Sequence, residues 1–207
     1  MLPDHDPVTD ATFERLGFYD LDVSQRSADS VAFEQCRFHR ADLSGSVLDR
    51  VSLTDCLVEN SDFANLRCDG GSLLRVRAAR SRMTGLSVSK GLVQDVAFDE
   101  CRLDLTGWRF TDFRAVRFTG CNLGRADFTE ADLTGAQFVG CDLTGAQFDK
   151  AKMDGTRLRD CVLVGIGGVL SWRGAVVPAA DLIALSYSLA AALGIRVDDD
   201  PDPEPRP

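Results

Sequence analysis

One spacing rules out most folds for this chain. From Phe13 to Leu163 every fifth residue is apolar, thirty-one positions without an exception, in a chain of 207 residues that is 44% hydrophobic overall. A period of five matches neither the 3.6 of a helix nor the 2 of a strand. Eleven of the twelve phenylalanines fall in this phase, and only Phe110 stands outside it. Two residues before each central position the side chain is Ala, Cys, Val, Ser, Thr or Gly in 26 of 31 cases, so each pentad offers one large and one small inward residue. The stretch ADFTEADLTGAQFVGCDLTG at 126–145 shows the rule at its cleanest.

One large and one small apolar position per five residues implies a short extended piece and then a turn, repeated without drift. Outward residues such as Asp127, Thr129 and Asp132 are free to be polar. The pentads ADLSG at 41–45 and ADLTG at 131–135 resemble the repeats of the pentapeptide-repeat proteins, and the phase extends over 11–165, three quarters of the chain. The resemblance implies an all-β solenoid, a right-handed quadrilateral β-helix of about eight coils with a C-terminal α-helix. Four sides put residues twenty apart on one face. The sequence then sorts itself: Phe18, Phe38, Phe98, Phe118 and Phe138 stack on one side, and Leu43, Leu103, Leu123, Leu143 and Leu163 on the next. At about 4.8 Å per coil the rod is expected to be about 35–40 Å long.

Six cysteines follow the same arithmetic. Cys36 and Cys56, then Cys101, Cys121, Cys141 and Cys161, occupy the small inward position at intervals of twenty. Parallel side-chain vectors disfavour disulfides, no C-x-x-C occurs, and the two histidines, His5 and His39, are far apart in sequence. The reading is buried reduced thiols, with no metal and no cofactor. Nothing in the sequence has the form of a nucleophile with its base, a phosphate-binding loop or a paired-carboxylate cleft. An enzyme is not expected, and GIGG at 165–168 reads as the closure of the last coil.

Four segments are expected: a flexible N-terminus at 1–10, the β-helix at 11–165, a cap and helix at 166–197, and a disordered acidic tail at 198–207. In the helix, Pro178 and Asp181 suit the start and Gly194 the stop, while Leu182, Leu185, Leu189 and Leu193 form an apolar stripe. That stripe either caps the coil stack or joins two copies into a homodimer, as comparable helices do in quinolone-resistance members of the family. No membrane-spanning run and no leader peptide is read from the sequence, which points to the cytoplasm.

Net charge is −9, which argues against direct nucleic-acid binding. Asp22, Asp42, Asp62 and Asp142 share one outward position; Asp29, Asp49, Asp69 and Asp149 share another; Arg37, Arg77, Arg117 and Arg157 form a basic column elsewhere. Between 66 and 90 six basic residues face only Asp69. The resemblance implies a rod that mimics duplex DNA, binds DNA gyrase and modulates topoisomerase activity, or protects the enzyme from quinolones or toxins. The acidic columns would then be the contact surface. The alternative is a general protein-interaction scaffold.

Overall fold

The structure, a computed structural model describing residues 7–196, is a parallel β-solenoid with four sides. The first side stacks six three-residue strands, from Thr12–Glu14 to Asp112–Arg114. The second stacks eight, from Gly17–Tyr19 to Arg157–Arg159. The third is a column of single bridges from Asp22 to Val162, and the fourth begins with four strands, Ser27–Asp29 to Ser87–Ser89, and continues as bridges to Gly167. Pairing is parallel with a register of twenty throughout the repeats, as in Phe18↔Phe38, Phe98↔Phe118 and Phe118↔Phe138. Eight rungs on the second side are separated by seven full turns, about 34 Å of rod.

The five-residue period has a backbone cause. From Asp10 to Gly165 every fifth residue has φ between 47° and 73°. This left-handed corner turns the chain and points its N–H along the rod. Arg15 N–H donates to Glu34 O at 2.8 Å and Glu130 N–H to Asp149 O at 2.9 Å, each one coil on. Twenty-three of these thirty-two corners are not glycine. At roughly 1–2 kcal/mol apiece for an L-residue held left-handed, the strain is large, and the inter-coil hydrogen bonds and the packed interior offset it.

Inside, rings lie in register. Phe98, Phe118 and Phe138 stack at 4.9 Å spacings with planes within 6°, and Phe128 lies over Phe148 at 5.2 Å. The small inward position has a polar duty as well. Cys36, Cys56 and Cys121 each donate a thiol hydrogen bond to a carbonyl 23 residues back, at 3.2–3.3 Å. Thr111 and Thr156 do the same with hydroxyls at 2.8 and 2.7 Å. All seven cysteines are free and buried. Burial, with the Asp49 carboxylate nearby, pushes the Cys68 thiol up to about 12. Cys56, Cys121 and Cys161 are raised by the neighbouring thiols of the ladder and by burial.

The last coil closes at Gly168 (φ 71°), where an added Cβ would lie 2.4 Å from the backbone of Phe148 and Asp149. A short 3-10 turn (Val169–Ser171) follows, Val176 bridges to Arg157, and helix α1 (Ala179–Ala192) crosses the end of the rod. Pro178 sits at the cap position just before the helix, and Asp181 lies in the first turn. At the other end Gly194 (φ 72°) donates to Ala191 O and Ile195 to Ala190 O, which is the glycine stop read from the sequence. The flexible start expected at 1–10 lies largely, and the acidic tail wholly, outside the described residues. No helix among the described residues is long and apolar enough to cross a membrane.

Candidate interaction surface

The outward positions carry whatever specificity the rod has. On the third side Asp22, Asp42, Asp62 and Asp142 do share one column, but it runs Asp22–Asp42–Asp62–Arg82–Arg102–Asn122–Asp142 along the bridges. The four aspartates are therefore three at one end and one far along the rod. On the fourth side Asp29, Asp49 and Asp69 stack in the same three coils, while Ser89, Arg109 and Thr129 separate them from Asp149 in sequence order. The first coils thus hold six of the eight aspartates on two adjacent sides.

Two of those six are compensated. Arg82 Nη1 approaches Asp62 at 2.9 Å, and Arg50 pairs with Asp29. Asp42, Asp49 and Asp69 make no ion pair among the described residues. The column aspartates also shape the backbone. Asp22, Asp42 and Asp142 each accept the backbone N–H two residues on, at 2.8–2.9 Å, and Asn122 does the same at 3.0 Å. That bond, from the Ser24 backbone first, holds the Asp22 carboxyl below its usual range. An amide serves the turn as well as a carboxylate.

The Arg column is real. Arg37, Arg77, Arg117 and Arg157 occupy every second rung of the second side, all exposed, with Leu57, Ala97 and Gln137 between them. At the end of the rod the leucine stripe is divided. Leu185 is buried and Leu189 half-buried against the coil end, whereas Leu182 and Leu193 are exposed beside Ile183 and Tyr187. Among the described residues no cluster of three metal-ligating side chains occurs. The interior holds a small apolar cavity of about 40 Å³ between Val58, Ala78 and Phe98, its wall apolar except for Cys68 and Ser72.

The pentapeptide-repeat family model matches in eight copies, over residues 29–65, 109–145 and 126–165. The chain belongs to the pentapeptide-repeat family. No curated protein matches it. Among solved structures this pentapeptide-repeat protein is similar to trypsin-treated QnrB1, a plasmid-mediated fluoroquinolone resistance protein, with 18% identity, a TM-score of 0.45, and coverage of 90% of this chain and 100% of that one. HetL, a pentapeptide repeat protein involved in heterocyst differentiation regulation from the cyanobacterium Nostoc sp. strain PCC 7120, aligns with 17% identity and a TM-score of 0.33 over 83% of this chain and 91% of that one.

Sequence reasoning by central residues missed one set of surface residues. Leu105, Phe110 and Ala115 are three successive corners of one coil, and every other corner from Asp10 to Gly165 is polar or glycine. The signal was present: Phe110 is the one phenylalanine out of phase.

Proposed function

We propose that this pentapeptide-repeat protein is a non-catalytic rod that docks, through its first coils, in a DNA-binding saddle of DNA gyrase and modulates the enzyme or shields it from quinolones or toxins. The observation that carries this reading is the crowding of Asp22, Asp42, Asp62, Asp29, Asp49 and Asp69 on adjacent sides of three coils. With Asp29 and Asp62 compensated, four carboxylates over about 14 Å give roughly one per 3–4 Å of axis, about half the density of duplex DNA at one per 1.7 Å. The choice of gyrase as partner is what the resemblance of the repeats implies. A second reading, a general interaction scaffold, is favoured by Arg82 and Arg102, which end the acidic column mid-rod. The exposed helix face formed by Leu182, Ile183, Tyr187 and Leu193 is proposed to join two copies, leaving Leu185 and Leu189 as the cap.

The deciding experiment is supercoiling by purified gyrase, with and without a quinolone, in the presence of wild-type protein or the variant Asp22→Asn, Asp42→Asn and Asp62→Asn. Asn122 shows that the turn survives the change, so the fold is expected to persist while the effect on gyrase weakens and loses its salt dependence. Equal effects of the two proteins, or none from either at micromolar concentration, would remove gyrase and leave the scaffold. Sedimentation of Ile183→Glu with Tyr187→Lys tests the dimer. A monomeric wild type rejects it.

A further inference from the structure

We infer that the middle of the rod carries a second binding surface, for a short acidic protein segment bearing two apolar side chains. The surface belongs to the coil at 101–120 and is independent of the acidic end. Leu105 and Phe110 stand at the two corners that flank the fourth side, 54% and 45% exposed, with φ of 60° and 57°. Neither side chain is part of the packed interior. They carry the left-handed strain of a corner and leave apolar surface in water, where glycine or asparagine would relieve both. Between them the outward residues are Gly107, with no side chain to obstruct approach, and Arg109, whose guanidinium lies 5.8 Å from the Phe110 ring centre. Directly beneath Leu105 in its corner column is Gly85, so the leucine projects from a bare ledge.

The charges around these anchors reverse the sign of the rest of these two sides. Lys90, Arg102 and Arg125 surround the coil and make no ion pair among the described residues; Arg82 and Arg109 are compensated by Asp62 and Asp127, and Glu130 pairs with Lys150. Of the nearby carboxylates, Asp104 accepts from the Thr84 hydroxyl at 2.8 Å, while Glu100 stands at the preceding corner. Three cations without ion pairs against Glu100 and Asp104 leave a positive surplus, which favours a partner that is negative and partly apolar. Its length is limited by what lies on either side. Asp62 and Asp69 bound the basic region toward the start of the chain, Asp142 and Asp149 toward its end, each within about a Debye length, 8–10 Å, of the belt. A polyanion laid along the rod, such as duplex or single-stranded DNA, meets repulsion at both margins. Laid lengthwise, about eight extended residues at about 3.3 Å each span about 26 Å and overrun the roughly 19 Å between these margins, whereas the same segment laid across the rod along this coil stays clear of both.

The test uses the whole protein and fluorescence anisotropy of a labelled nonapeptide, glutamate at seven positions and leucine at two positions four apart. Saturable binding at micromolar concentration is expected, weakened about tenfold or more when the leucines are replaced by serine, and similarly in the protein variant Leu105→Asn with Phe110→Asn. Asparagine tolerates the corner conformation, so that variant should melt no lower than wild type, which separates lost binding from lost fold. Arg102→Glu with Arg125→Glu should abolish binding. No binding up to millimolar peptide, equal binding of the serine peptide, or tighter binding of a nine-nucleotide single strand would each overturn the inference.

Discussion

Two stretches of the same solenoid share a register and differ in what fills it. Over 111–150 the central residues are Phe113, Phe118, Leu123, Phe128, Leu133, Phe138, Leu143 and Phe148, all sealed, with alanine or cysteine at most of the small positions. Over 51–90 the stack on the second side falls to Val58 and Ala78 between Phe38 and Phe98, and the 40 Å³ cavity opens there. Leu73 is only half-buried. Yet the ladder is unchanged: Ser72 N–H reaches Val51 O at 2.8 Å, and Asp132 N–H reaches Thr111 O at 3.0 Å. Corner conformation and backbone pairing set the coil, and side-chain volume sets only how well it is filled.

Truncation tests that separation most strongly. Leu133 and Leu53 hold equivalent places on the first side, one fully buried in the filled stretch and one lining the cavity. Leu133→Ala is expected to lose about 4 kcal/mol and Leu53→Ala about 2–3 kcal/mol, since Leu53 already lacks partners on one side. Equal losses in denaturant unfolding would show that the cavity does not loosen its lining.

Filling gives a smaller effect of opposite sign. Ala78→Val puts two methyl groups toward the cavity and should stabilise by about 1 kcal/mol, whereas Ala136→Val in the filled stretch should destabilise by about 1–3 kcal/mol. A lower melting temperature for both would mean that Ala78 is already tightly packed.

Corners should respond alike in both stretches because their strain is in the backbone. Ala115→Gly, at φ 51°, is expected to be neutral or to stabilise by up to about 1 kcal/mol. Ala97→Gly, within a strand, should lose about 0.5–1 kcal/mol. Thermal melts of the pair check it; a loss at Ala115 matching that at Ala97 would show that the corner holds no relievable strain.

The smallest effect is with pH. Asp20 and Asp55 are held low by hydrogen bonds from Arg40 and Arg75, and Asp22 by the Ser24 backbone. For a carboxyl lowered on folding, the stabilisation is complete above the unfolded value near 3.9 and is lost as pH falls through the folded value. Melting temperature should be insensitive to these groups from pH 7 to 5 and decline below about 4. Among the described residues, three of the four carboxylates lowered in this way lie in the first coils, the other being Asp132, so hydrogen exchange in acid should rise there first. Uniform exchange along the rod would break the asymmetry.

The coil itself was legible because the repeat is local and obligatory: a pentad that ends in a left-handed corner leaves a single inward column, and Phe18, Phe38, Phe98, Phe118 and Phe138 had to stack. The cysteine ladder was legible for the same reason. The surface was less so. Equal spacing placed Asp22 and Asp142 in one column, but Arg82 and Arg102 lie between them, and the neutralisation of Asp62 and Asp29 depends on side chains from neighbouring coils. The helix stripe had the right period for one face. Which leucines meet the coil end was decided by how α1 crosses it, so Leu185 is covered while Leu182 and Leu193 are not. Phe110 was visible from the start as the phenylalanine that broke phase. Its meaning required the corner, since only the folded backbone shows that Leu105, Phe110 and Ala115 turn outward on successive edges of one coil. Sequence by itself determined the period and the inward residues, because both follow from residues five apart; the four sides and the number of coils came with the resemblance, which the stacking of like residues twenty apart supports. Tertiary structure decided the charge balance, the exposed anchors and the covered helix face, because those depend on which side chains meet across coils.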